Sequence, residues 1–132
     1  MSQERGQNIV SFKAAASIPA YTPVYISAAN TVHAVDTTLA SIVVVGVSAD
    51  AASTNGSVPV IISGTAKVIA NSAIAAGAVV GVNTNGTCTT GASTVATATA
   101  LGLNIGIALE AATATDAVIE VLLQLQPSRI TL

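Results

Sequence analysis

The sequence predicts an all-β fold with little helix. It describes a compact barrel- or sandwich-like domain, built from two similar β units and carrying an extended N-terminal arm. Three observations carry this prediction. Residues 42–47 (IVVVGV) and 58–62 (VPVII) are runs of Val and Ile, whose branched Cβ atoms suit a pleated, half-buried surface and are stiff in a helix. The runs are joined by small residues ending in Asn55-Gly56, a pair that tolerates positive φ and turns the chain. The stretch around them also returns later in altered form.

In chain order, residues 1–17 differ from the rest. They hold Glu4, Arg5 and Lys13, three of the ten charged residues (four basic, six acidic), and little that asks for burial. They are expected to form an arm lying on a neighbouring subunit. Residues 18–26 (IPAYTPVYI) open the β domain, with Pro19 and Pro23 excluding a helix and favouring an edge. Asn30-Thr31 is a turn and 32–35 a short strand. Residues 36–41 connect to the first central strand, 42–49. The small-residue loop 50–57 leads to strands 58–62 and 64–70, with Pro59 marking an edge or bulge. Residues 71–77 form a helical turn or an extended loop. A hairpin follows, 78–82 and 87–90 about a turn at 83–86. The Thr/Ala stretch 91–100 suits an edge strand or a loop. Strands 104–109 and 117–125 close the domain; the second places Glu120 and Gln124 on one face and Val121 and Leu125 on the other. Pro127 ends it, giving divisions at 1–17, 18–126 and 127–132.

The repeat is visible in residues. IPAYTPVYI from Ile18 aligns with IAAGAVVGV from Ile74, and the same spacing of 56 brings Val32 onto Cys88. GVSADAASTNGSVPVII from Gly46 aligns with GIALEAATATDAVIEVLL from Gly106 at a spacing of 60, so that Asp50 meets Glu110, Ser53 meets Thr113 and Val58 meets Val118. A period this long implies two similar units about one core rather than a solenoid.

The 132 residues suffice for one domain with a real core. Only 8% are charged, about one charge per 600 Å² of the surface expected for this mass, where a soluble surface typically carries about 25–35%. Much of the surface is therefore expected to be covered by partners. The composition does not read as membrane-spanning: no 18 consecutive residues are apolar, and aromatics at 2% give no interfacial girdle. Residues 1–13 lack the apolar segment of a signal peptide. A net charge of −2 supplies no basic stripe for nucleic acid, and the single Cys88 makes no internal disulfide.

No catalytic constellation emerges. His33 is the only histidine, too few for a His-based metal site in one chain, and reads as a strand residue bonded to a neighbour. Cys88 follows a turn and reads as a small hydrophobe or an exposed thiol. Asp36, Asp50, Glu110, Asp116 and Glu120 sit among small residues as turn formers or solvated groups. Gly77/Gly81 and Gly102/Gly106 lack the lysine and helix of a phosphate loop. No cofactor or metal is expected.

Taken in order, IPAYTPVYI, VVVGVSADAA, VPVIISGTAKVIA, AIAAGAVVGV, NTNGTCTT and GIALEAA with AVIEVLL resemble the small decoration, or cement, proteins of tailed-bacteriophage capsids. The resemblance runs over residues 18–125. It implies a compact β-rich fold and trimers or symmetric clusters that clamp neighbouring major capsid proteins at the capsid surface of the virion, the protein being made in the host cytoplasm. It also implies an N-terminal arm that orders on the capsid. Candidate contact residues are Ser2, Gln3, Glu4, Arg5, Asn8, Ile9, Val10, Phe12 and Lys13 of the arm, with Ile130 and Leu132 at the other end. The rivals are a trimeric fibre or adhesin module, against which the lack of aromatics counts, and an enzyme with a site shared between chains, as if His33 met Asp36 across an interface.

Overall fold

The computed structural model describes residues 7–35, 43–82, 86–90 and 104–125. Among them are nine strands and no helix: β1 (Gln7–Ala14), β2 (Pro23–Ala28), β3 (Thr31–Ala34), β4 (Val44–Ser48), β5 (Ser57–Ile69), β6 (Val79–Val82), β7 (Cys88–Thr90), β8 (Asn104–Ala108) and β9 (Val118–Leu123). The all-β prediction holds. Residues 36–41, 91–100 and 127–132, for which the sequence suggested a connection, a Thr/Ala strand or loop, and a tail, lie outside the described residues.

The first five strands form unit 1, a closed barrel in the order β1-β3-β2-β4-β5, with β5 returning to pair with β1. Its pairings are antiparallel except β1–β3, which run parallel at Lys13↔Thr31 and Ala14↔Val32. Unit 2 repeats the plan as β5-β9-β8-β6-β7. A parallel bridge, Ala70↔Cys88, stands where Ala14↔Val32 stands in unit 1. Strand β5 serves both units. Its first half closes unit 1 on β1, and its second half, paired with β9 from Thr65 to Ile69, occupies in unit 2 the place of β1.

Three expectations change here. The segment read as an arm contains β1, which pairs with its own chain's β5 from Gln7↔Gly64 to Lys13↔Ser57. The cause is a period-two pattern: Val10, Phe12 and Ala14 point inward while Ile9, Ser11 and Lys13 alternate outward. Strands 58–62 and 64–70 are one strand, carried past Gly64 at φ 92. Pro59 does not sit on an edge strand. It faces Ser11 of β1, and on its other side, just beyond the end of β4 at Ser48, its carbonyl accepts from Ala49 N at 2.8 Å, so its missing N–H falls where the β4 ladder stops.

The repeat reaches down to hydrogen bonds. Ile18 and Ala52 exchange backbone bonds, as do Ile74 and Ala112; Tyr21 N donates to Ser48 O at 2.9 Å, and Gly77 N to Ala108 O at 2.8 Å. The same bulge recurs, with Val24↔Gly46 followed by Tyr25↔Val44, and Val80↔Gly106 followed by Gly81↔Asn104. In the last strand the spacing is 61, because the loop after Ala112 is one residue longer than that after Ala52. The pairs Phe12↔Val58 and Val68↔Ile119 show it. Val58 therefore matches Ile119 rather than Val118, and Val118 lies on the exposed face.

The buried side chains form two clusters rather than the single core expected from the repeat. Unit 1 buries Ala14, Ile18, Val24, Val32, Val58 and Val60. Their counterparts Ala70, Ile74, Val80, Cys88, Ile119 and Val121 are all in the second cluster, which also takes Val35, Val44, Val47 and Ile61 from unit 1.

Candidate functional site

The groups with chemical potential are dispersed. Cys88 is a fully buried free thiol in the place that Val32 fills in unit 1. Burial pushes its pKa up to about 12, so it stays a neutral, unreactive thiol. His33 lies on β3, where its Nδ1 donates to the Ala34 carbonyl at 2.7 Å. Its ring stands beside Tyr25 with centroids 5.7 Å apart, as a strand histidine tied to neighbours. Asp50 accepts a bond from Ala51 N at 2.8 Å and shapes its own turn. Asp116 sits in a turn at φ 68. Glu120 stands opposite Lys67 on the β5–β9 ladder, a favourable cross-strand pair. Asp36 lies outside the described residues. Among the described residues no three of His, Cys, Asp and Glu come together to hold a metal ion.

What the surface offers is neutral polar and apolar area. Of the contact residues expected from sequence, Asn8, Ile9, Val10, Phe12 and Lys13 are all on β1; Ser2, Gln3, Glu4, Arg5, Ile130 and Leu132 lie outside the described residues. Ile9 and Lys13 are exposed on the outward side of the strand, while Phe12 is half-buried on the inward side. The strand is held along its length, with Gln7 Nε2 donating to Thr65 O at 2.9 Å and Asn8 Nδ2 to Ser63 Oγ at 2.7 Å. Ser11, Phe12 and Lys13 line a shallow cleft of about 220 Å³ with Asn55, Gly56 and Ser57. The cleft forms because Asn55 and Gly56 bond the Ala14 backbone at 2.8 and 2.9 Å.

Sequence reasoning missed further exposed apolar residues: Ile26, Leu109, Val118 and Leu122. One signal was present. In the alternating stretch 117–125, Leu122 falls on the face of Glu120 and Gln124, where a solvated strand would carry a polar residue.

The whole sequence, compared with family patterns, matches the phage cement protein family over residues 3–123. The chain belongs to that family. A cement protein is a structural component associated with the phage head, and membership gives this chain a capsid-associated role on the virion. No curated protein matches the sequence. Among solved structures the cement protein is similar to the N base of head fiber gp8.5 of bacteriophage phi29. That match has 15% identity, covers 90% of this chain and 95% of that one, and has a TM-score of 0.63. At that identity the likeness concerns the fold alone.

Proposed function

We propose that the protein binds the outer surface of a phage capsid and stabilises the joints between major capsid protein subunits, acting as a homotrimer or another symmetric cluster. Membership of the cement family carries this reading. The surface chemistry supports it: with 8% charged residues, the molecule has neutral polar and apolar area suited to burial across subunit joints. A standard interface buries about 1,600 Å², and many such joints act additively against internal genome pressure. The contacts proposed are the outward residues of β1, chiefly Ile9 and Lys13, with Ser2, Gln3, Glu4 and Arg5 before them and Ile130 and Leu132 at the far end.

The test is co-sedimentation with undecorated capsids, comparing the full chain, a chain lacking residues 1–6, and Ile9→Asp. Retention of the full chain and weaker retention of both variants is expected. A full chain that stays in the supernatant removes the capsid reading, and truncated and Ile9→Asp chains that bind undiminished remove the contact assignment. The likeness to a head-fiber base favours one second reading, a trimeric foot for a projecting fibre or adhesin. Glycan binding by isolated trimers, with no effect on capsid stability, would select it.

A further inference from the structure

We infer that copies of this chain associate head to tail, the outer face of unit 2 in one copy covering the open end of the unit 1 barrel in the next. The inference rests on the internal repeat and is independent of the capsid reading.

The template for the contact lies inside the chain. Val44, Val47 and Ile61, on the outer face of unit 1, pack into the cluster of unit 2 together with Val35. At this seam the Gly86 turn of unit 2 comes so close that a Cβ on it would lie 3.0 Å from the Val35 carbonyl oxygen and 3.1 Å from Thr22 Cγ2. The inward-facing residues Ala66 and Val82, at the same end of the unit 2 barrel, are closed over, 1% and 6% exposed. Their counterparts in unit 1 are Val10 and Ile26, which also point inward and yet are 39% and 44% exposed. Unit 2 has a covered barrel end and unit 1 an uncovered one.

The outer faces show the converse. Ile61 is 4% exposed and Val47 fully buried. Their counterparts on unit 2 are Leu122, 37% exposed, and Ile107, half-buried. Ala49, half-buried against the seam, corresponds to Leu109, 39% exposed. The chain thus uses one such seam internally and leaves one of each half unused: an open barrel end on unit 1 and an apolar outer face on unit 2. Apolar residues dominate both, with the buried Asn104 standing where unit 1 has Val44, and each is the repeat counterpart of a surface already shown to accept the other. Two different surfaces that fit one another give a heterologous contact, closing into a ring or extending as a filament according to its rotation.

Details at the junction agree. The exposed Asn30 corresponds to Gly86, and both have positive φ, 54 and 81. Asn30 carries a side chain that Gly86 lacks; where Gly86 faces Thr22 it would meet Ala78, which has no Cγ2, and where Gly86 faces the Val35 carbonyl, 3.0 Å from a Cβ, the neighbouring backbone has to give by a few tenths of an ångström. Inside the chain β5 runs through the seam. Between copies its two halves are replaced by the end of β9 at Leu123 and the start of β1 at Gln7, so no strand has to break.

Sedimentation of two single variants tests this. Leu122→Asp spoils the outer face and keeps the open end; Ile26→Asp does the reverse. Both sites are solvent-exposed, and circular dichroism confirms the fold of each variant. At about 100 μM, well above a micromolar Kd, the unaltered chain is expected to be oligomeric and each variant monomeric. An equimolar mixture is expected to stop at a dimer, because each variant brings its one intact surface. An oligomer that survives either substitution, a mixture that stays monomeric, or an unaltered chain that is monomeric overturns the inference. A second measurement does not depend on those substitutions: Asn30→Cys mixed with Ala78→Cys should give an oxidised heterodimer, with Cys88 too buried to compete. Absence of that crosslink overturns the docking geometry. A chain that ignores capsids yet forms the mixed dimer keeps this inference and loses the capsid reading.

Discussion

Gly46 and Gly106 hold the same position in the two barrels for the same steric reason. A Cβ on Gly46 would overlap the Ile61 carbonyl oxygen and Val60 Cγ1, and one on Gly106 would overlap the Leu122 carbonyl oxygen. The obstacle in both is mainly backbone, which cannot turn aside as a flexible side chain can. Gly106→Ala is therefore expected to cost about 1–3 kcal/mol, the range for overpacking, read as a lower urea midpoint at unchanged m-value. Cys88 makes a different kind of case. Its counterpart Val32 shows that the site wants a small apolar side chain, so Cys88→Val should fold with little change near neutral pH. High pH should separate the two proteins. Folding raises the thiol pKa from its ordinary value near 9 to about 12. Below pH 9 both folded and unfolded chains hold the proton, and the thiol adds no pH dependence. Between 9 and 12 the unfolded chain loses its proton first, so stability falls as pH rises, by up to about 1.4 kcal/mol per pH unit. Urea midpoints from pH 8 to 11 should show this extra fall in the unaltered protein and lack it in Cys88→Val.

Strand β1 decides whether unit 1 is a barrel. It is bonded along β5 from Gln7 to Lys13 and closes on β3 at Lys13 and Ala14, and Ala14 is part of the unit 1 cluster. Removing residues 1–13 should open both seams and expose Val58 and Val60, so that the truncated chain loses its cooperative thermal transition. Removing only residues 1–6 should leave that transition nearly in place. Circular dichroism melts of the two truncations check this. The same strand shows where the sequence was hard to read. Its inward apolar signal is three positions, Val10, Phe12 and Ala14, and the remaining positions are Gln, Asn, Ser and Lys with one outward Ile9. Its partner β5 is some fifty residues away, so local pattern alone resembles a loose polar terminus. The opposite holds for β4, β5, β8 and β9, whose Val- and Ile-rich runs declared themselves. The repeat was legible because Ile18/Ile74 and Ala52/Ala112 keep the same residue types at paired bridges. The one-residue slip in the last strand was not, because Val118 and Ile119 are both apolar and only burial separates them. The exposed Ile26 and Leu109 gave no signal either, since an apolar residue at an open barrel end or on an uncovered outer face looks in sequence like its covered counterpart.

At the scale of the whole molecule, two barrels could melt separately or as one, and their connection decides which. A flexible linker would let each unfold alone. Here the linker is β5 itself, a 13-residue strand whose halves belong to different barrels. The packing agrees with the connection: Val44, Val47 and Ile61 are strand residues of unit 1 but lie in the buried cluster of unit 2. Unfolding unit 1 would strip those side chains from unit 2 and free one of its edge strands, and unfolding unit 2 would expose the whole outer face of unit 1. Neither barrel keeps its buried surface without the other. The molecule is therefore expected to unfold in one transition, with calorimetric and van't Hoff enthalpies equal. Ile61→Ala provides the sharper check. Its loss should cost about 2–5 kcal/mol, as for other buried large-to-small changes, and should raise amide exchange in β8 as much as in β2, although Ile61 pairs with β4 and not with β8. Two separate calorimetric peaks, or accelerated exchange confined to unit 1, would show that the barrels are coupled only by the chain that joins them.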